Sequence, residues 1–168
     1  GVVWMIGTDS LIYHRVGDTF QRLDTGSGLR IAIGADRQPW VVGTDTRIWH
    51  YTGQQWETYA PLLGCFDVDV GANGMVWAID GGSRLHRLDG ATWAPTRHLA
   101  VRLGVGPDGC PWAVRPDGSV IRQRPTGVSL AARDAVANAV WQQLPGYAAD
   151  IAVGHEGTAW IVGTDSQA

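Results

Sequence analysis

Short apolar runs alternate with turn-forming residues along the whole chain. Within residues 31–66 four stretches, RIAIGA, PWVVGT, RIWHYT and QWETYA, each have the length of a strand and are rich in Ile, Val, Trp and Tyr. They are divided by DRQ and DT, and the first of these gaps holds NG, DG or EG elsewhere in the chain. Such dipeptides accept positive φ at little cost and so close tight hairpins. Apolar side chains fall on both faces of the predicted strands, as at Ile31, Ile33, Trp40, Val41 and Val42, so each small sheet is expected to be covered on both sides.

The pattern repeats. Trp4, Trp40, Trp77, Trp112 and Trp160 are separated by 36, 37, 35 and 48 residues, and Gly34, Gly71, Gly106 and Gly154 stand six positions before the last four. A second aromatic follows sixteen positions after the first three tryptophans, at Phe20, Trp56 and Trp93; in the fourth unit its counterpart, Trp141, comes 29 positions after Trp112. These two columns take eight of the nine tryptophans, which marks them first as packing positions. The units are residues 1–30, 31–66, 67–100, 101–149 and 150–168. The fourth carries thirteen extra residues, in which Ser129 is positioned to cap a short helix through Val140.

Repeated four-stranded antiparallel units of about 36 residues predict an all-β fold, a β-propeller of four-stranded blades. Unit one lacks an innermost strand and unit five has two strands, so the expectation is seventeen strands, making four blades and part of a fifth. Because TAWIVGT duplicates VVWMIGT, the last segment cannot fill the gap in unit one, and a closed four-bladed ring is disfavoured. The chain is then a section of a five- or six-bladed ring, completed by flanking blades or through an oligomer. The uncovered edges are expected at Val2–Ile6 and Ala159–Val162.

The recurrent phrase DIAVG-xx-G-xx-W-x-VG-TD-xx-IY/IW, with a closing Trp at the start of the outer strand, resembles the tectonin repeats of tachylectin-1-like β-propeller lectins. The likeness runs from end to end and is interrupted by the insertion in unit four. It implies a lectin, secreted or at a cell surface, that binds glycans or lipopolysaccharide at several junctions between blades. Neither the WD-repeat signature nor a kelch double glycine recurs. Repeat architectures serve many ends, so a protein-interaction scaffold, with the 122–141 insertion as its contact, and an accessory propeller of a larger secreted or surface protein are the competing readings.

The third predicted strand holds the residues best suited to a sugar. Tyr13, Trp49, His86 and Ile121 align there, followed by His14, His50, Arg87 and Arg122. Aromatic faces next to hydrogen-bonding groups suit a pyranose, which has a CH-rich face and a rim of hydroxyls. The same residues equally suit packing and carbonyl pairing between sheets. Trp56 and Trp93, at the start of the outer strand, complete the set as walls of a cleft. Asp9, Asp45, Asp117 and Asp165 recur in the turn after the second strand, where unit three has Gly82, and an Asx turn accounts for them.

Other chemistries find less support. His14, His50 and His86, spaced by 36, are distributed around a ring rather than converging on one ion, so no metal or other cofactor is expected. No G-x-S-x-G elbow occurs and neither Cys65 nor Cys110 has a catalytic signature, so the chain reads as a binding protein and not an enzyme. Two cysteines could pair but cannot make a framework. The net charge of -3, with no run of like charge, gives no basis for a nucleic-acid surface, and no apolar run reaches the roughly 18–20 residues of a membrane span. All thirteen basic residues are Arg, as GC-rich bacterial coding produces; no chemistry follows from it.

Overall fold

The computed structural model describes residues 2–59, 61–124 and 140–163, and every regular element among them is a β-strand. The helix expected from Ser129 falls outside the described residues, except for Val140, which is in no helix. Unit two shows the plan. The end of β3 (Thr19–Ile33) pairs with β4 (Pro39–Gly43), β4 with β5 (Ile48–Tyr51), and β5 with β6 (Trp56–Thr58), each antiparallel to the last. Unit three repeats it with β7 (Asp67–Val70), β8 (Val76–Ile79), β9 (Arg84–Asp89) and β10 (Thr92–Leu99). Unit four repeats it with β11 (Arg102–Val105), β12 (Pro111–Val114), β13 (Ser119–Gln123) and the start of β14 (Trp141–Val153).

Unit one contributes β1 (Trp4–Ile6), β2 (Leu11–Val16) and the first part of β3; unit five contributes the end of β14 and β15 (Ala159–Gly163). Seventeen segments thus become fifteen strands, because β3 and β14 each run unbroken from the outer edge of one sheet to the inner edge of the next. Sequence segmentation separates these pieces at their glycines. In the structure Gly26 (φ +89°) and Gly146 (φ +100°) turn the strand without ending it.

The register is constant from unit to unit. Trp4 faces His14, Trp40 faces His50, Trp77 faces Arg87 and Trp112 faces Arg122 across the second and third strands. The outer aromatics keep step, with Phe20 opposite Arg15, Trp56 opposite Tyr51, Trp93 opposite Leu88 and Trp141 opposite Gln123. The recurrent glycine closes the first hairpin: Gly34, Gly71, Gly106 and Gly154 each donate N–H to the carbonyl four residues on. A side chain has no room at Gly34, Gly71 or Gly106. A Cβ on Gly71 would lie 2.7 Å from the Gly106 carbonyl oxygen of the neighbouring sheet.

The core lies between sheets. Trp40, Val42 and Ile48 of unit two pack with Cys65, Val68, Val70 and Val76 at the third sheet, and Trp77, Ile79 and Leu85 pack with Leu103, Val105 and Ala113 of the fourth. Two indole N–H groups add polar ties between sheets, from Trp4 Nε1 of unit one to the Arg37 carbonyl of unit two at 3.2 Å and from Trp77 Nε1 of unit three to the Gly109 carbonyl of unit four at 3.0 Å. Cys65 and Cys110 are free and buried, and burial pushes their thiols up to about 12 and about 11. Thiols held protonated in this way are poor nucleophiles.

A second set of ties repeats four times. Ser10, Thr46, Ser83 and Gly118 take left-handed φ of 64°, 62°, 63° and 83° in the second hairpin. Their carbonyls accept the N–H of Gly28, Cys65, Ala100 and Ala148, where the chain passes into the next unit. Thr46 is β-branched and pays most for that backbone. Thr46→Gly keeps the carbonyl in place and is expected to stabilise the fold by about 1 kcal/mol, read as a higher urea midpoint at unchanged slope.

On the inner strands, Asp67 Oδ2 accepts the Leu103 N–H at 3.1 Å and Asp69 Oδ2 accepts the Val105 N–H at 2.6 Å, joining β7 to β11. Burial raises both carboxyls from an ordinary value of 3.8 to about 6, against the opposing pull of their backbone bonds and, at Asp67, of the Arg30 charge. The folded protein therefore holds these protons to higher pH than the unfolded chain. Their contribution to stability is greatest below about pH 4 and declines as pH rises towards about 6. Asp69→Asn, whose amide oxygen still accepts the Val105 N–H, is expected to remove part of that decline when urea stability of variant and parent is compared across this window.

Candidate functional site

The candidate residues divide according to which strand partner claims them. In the first column, the acid of the second hairpin takes the side chain: Tyr13 Oη donates to Asp9 Oδ2 at 2.7 Å, Trp49 Nε1 to Asp45 Oδ1 at 3.1 Å, and His86 Nε2 lies 2.8 Å from Asp80 Oδ2. The bond to Tyr13 holds the Asp9 carboxyl below its usual range and raises the Tyr13 phenol. The expected Asx turns are present, with Leu11, Arg47 and Ser119 donating backbone N–H to Asp9, Asp45 and Asp117; Asp165 lies outside the described residues.

Asp80 was missed as a member of this series, because it sits where units one and two have Gly7 and Gly43. A Cβ on Gly43 would meet the Asp45 carboxylate at 2.5 Å. With Gly82 at the usual acid position, that space is free and Asp80 fills it from the other side of the turn, accepting the Gly82 and Arg84 N–H groups.

In the second column the partner is the tryptophan across the strand. His14 lies 5.1 Å from Trp4, and His50 stacks on Trp40 at 4.3 Å with its Nε2 2.8 Å from Asp36 Oδ2. Arg122 lies over Trp112 at 4.6 Å and reaches Asp108 at 3.5 Å, a cation–π pair closed by a carboxylate. His86 and Arg87 are buried in the unit-three sheet. Tyr13, His14, His50, His86 and Arg87 are thus engaged within or between sheets.

Trp49, Trp56 and Trp93 have a different setting. Trp49 and Trp56 line one cleft of about 310 Å³ between units one and two, together with the buried Ile12 and Val41 and the polar Ser27, Thr44 and Asp45. Both indoles are fixed at their edges, Trp49 by Asp45 and Trp56 by Thr25, whose Oγ1 accepts the Trp56 N–H at 3.3 Å. The Trp56 ring lies against Gly26, where a Cβ would come within 2.8 Å of three ring atoms. The Ser27 and Thr44 hydroxyls share a 2.7 Å hydrogen bond. Rigid aromatic walls with hydroxyl and carboxylate groups between them can take a ligand that has an apolar face and a hydroxylated rim.

The cleft repeats one seam further on. About 230 Å³ lies between units two and three, lined by Trp93, Tyr59, Arg47 and Leu62 among others. At the next seam Trp141 packs edge-on against Trp77 at 6.4 Å and beside His98 at 4.4 Å. Gly26, Ser27 and Thr44 were not singled out from sequence, since each looks like turn punctuation until two units are brought together.

A third cavity, about 520 Å³, is bounded by the inner strands. Arg30, Asp67, Arg102 and Asp150 line it from the inner strands of four consecutive sheets, with Arg102 Nε 3.6 Å from Asp150 Oδ1. The signal was present in the sequence as a charged residue at the same place in each inner strand, with a second one, Asp69, in unit three. Among the described residues no helix is long and apolar enough to cross a membrane.

No family model matches the chain, and no curated protein matches it. Solved structures do. YCF48 bound to a D1 peptide superposes with a TM-score of 0.57 at 18% identity, over 94% of this chain and 55% of that one. A gluconolactonase-family protein gives 0.63 at 14% identity, over 91% and 64%. YCF48 from Cyanidioschyzon merolae gives 0.57 at 14% identity, over 88% and 55%. The chain therefore spans a little over half to just under two thirds of the length of these structures. At such identities the likeness concerns architecture alone, and with the repeated antiparallel sheets it makes this a β-propeller fold.

Proposed function

We propose that the chain is a glycan-binding propeller of the tectonin-repeat kind, each repeat sheet forming a blade, with four blades and part of a fifth in these residues. Sugars, including those of lipopolysaccharide, bind in the clefts between blades. The observation that carries this reading is the first cleft: two edge-anchored indoles, Trp49 and Trp56, line it together with the polar side chains of Ser27, Thr44 and Asp45. The indoles supply stacking surface already ordered in the folded state, which lowers the entropy lost on binding. Ser27, Thr44 and Asp45 supply acceptors and hydroxyl donors for sugar hydroxyls. No bond is made or broken. Recurrence of the cleft at Trp93 adds a second weak contact, and two weak contacts on one rigid body raise affinity for a surface dense in the same sugar.

A peptide ligand is the second reading. It is favoured by one observation, that a structure sharing this fold, YCF48, is described bound to a D1 peptide. On that reading the protein is a scaffold or an accessory propeller of a larger secreted or surface protein, and the clefts hold side chains instead of sugars.

A glycan array followed by titration separates the two. Saturable binding to one sugar class is expected, and Trp49→Ala and Trp56→Ala should each weaken it about tenfold or more, about 1.4 kcal/mol, with melting temperature little changed. Silence across the array, or sugar binding indifferent to both substitutions, would overturn the glycan reading.

A further inference from the structure

The two clefts share a plan. Trp56 and Trp93, at the start of the outer strands of their sheets, wall the first and the second, and Ile12 and Ile48 hold matching places on the third strand of the sheet before. Their charges differ. Among the described residues the first cleft is lined by one charged side chain, Asp45, and the second by one, Arg47. The two stand on either side of Thr46 in a single hairpin, where the Arg47 N–H donates to Asp45 Oδ1 at 3.1 Å, yet they line different clefts. The Asp45 carboxylate also accepts the Trp49 indole N–H, at 3.1 and 3.2 Å from its two oxygens, so the acid is fixed beside one aromatic wall. Arg47 enters no ion pair among the described residues. Glu57 and Asp36 are near enough to add to the effect of burial in raising the Tyr59 phenol, but neither lines the second cleft.

We propose that the two clefts divide the sugars of a glycan by charge: the first takes a neutral sugar and repels an acidic one, and the second takes a sugar bearing a carboxylate or phosphate, which Arg47 holds beside Trp93. This deepens the glycan reading of the clefts and rests on it. In the first cleft a neutral sugar donates its hydroxyls to a charged acceptor, the stronger kind of hydrogen bond. An acidic sugar there brings like charge to Asp45, and no cation among the described lining residues offsets it. In the second cleft the planar guanidinium can meet either anionic group with two parallel N–H donors, while Trp93 and Tyr59 supply the apolar wall. Low-dielectric walls focus both fields, so one charge in each cleft is enough to discriminate. A polysaccharide in which neutral and acidic residues occur together is then the ligand that engages both clefts at once.

The test titrates the 168-residue chain with the methyl glycosides of glucose, galactose and mannose, each beside its uronic acid and its 6-phosphate. What is read is the ratio of acidic to neutral affinity. Arg47→Gln is expected to lower that ratio about three- to fivefold, as befits one partly exposed charge. Asp45→Asn, whose amide oxygen still accepts the Trp49 and Arg47 N–H groups, is expected to raise it by a similar factor. Both shifts should vanish in about 1 M salt, where the screening length is about 3 Å; a substitution that acted only by disturbing the hairpin would keep its effect there. The same salt series on the unsubstituted chain gives a second readout that needs no variant to fold: the ratio itself should move as the charges are screened. The acid with the larger Arg47→Gln shift identifies the anionic group that the second cleft takes. Sugars bound with a ratio that neither substitution nor salt moves would overturn the division by charge and leave the glycan reading standing. Failure of every one of these sugars to bind would overturn both.

Discussion

The hydrogen bond from the N–H of Gly28, Cys65, Ala100 or Ala148 to a left-handed residue one turn earlier sets the spacing of the whole molecule. It occurs where the chain leaves one sheet for the next, and it fixes that crossing by a single amide and a single carbonyl. The carbonyl reaches the amide because its own residue has positive φ, at a steric cost to Ser10, Thr46 and Ser83. Once four crossings are alike, four sheets stand in the same relation to their neighbours. Trp4, Trp40 and Trp77 of the second strands then each meet the following sheet.

From that constraint the polar arrangement follows. The first two hairpins of the sheets are folded by an acid or amide in seven cases: Asp36, Asn73 and Asp108 in the first, Asp9, Asp45, Asp80 and Asp117 in the second. The remaining carboxylate oxygen is free to reach along the third strand. There it takes Tyr13, Trp49 or His86 from one hairpin, and His50 or Arg122 from the other. Aromatic and basic residues in alternation, which look like a ligand surface in the sequence, are in this respect the fittings of the hairpins. What is left for a ligand is the space between sheets, where Trp49 and Trp56 are braced at their edges.

The fold was legible because its unit is short and its strongest residue is rare. Trp recurring six positions after Gly marks a hairpin, and no other element is compatible with both the interval and the flanking Val and Ile. Strand continuity was not legible. Gly26 and Gly146 carry the same local signal whether a strand ends or merely turns, and only pairing on both sides distinguishes the cases. The clefts were half legible: Trp49, Trp56 and Trp93 were named, but their polar companions Ser27 and Thr44 are brought together across seventeen positions by tertiary packing. Asp80 was hidden by a swap of Gly and Asp around one turn, which conserves the volume filled and not the order of residues.

The two long strands have a consequence for how the molecule comes apart. A strand shared by two sheets cannot fray in one without loosening the other, so units one and two, joined through β3, form one cooperative block, and units four and five, joined through β14, form another. Unit three, whose sheet shares no strand, is the joint between these blocks. Energy passed along the arc must cross it through side-chain packing and a few bonds, notably those of Asp67, Asp69 and Trp77. In solenoid-like proteins stability is close to a sum over repeats and their interfaces; here four of the five units are tied in pairs by a shared strand, with Asp67 and Asp69 in the unit between them.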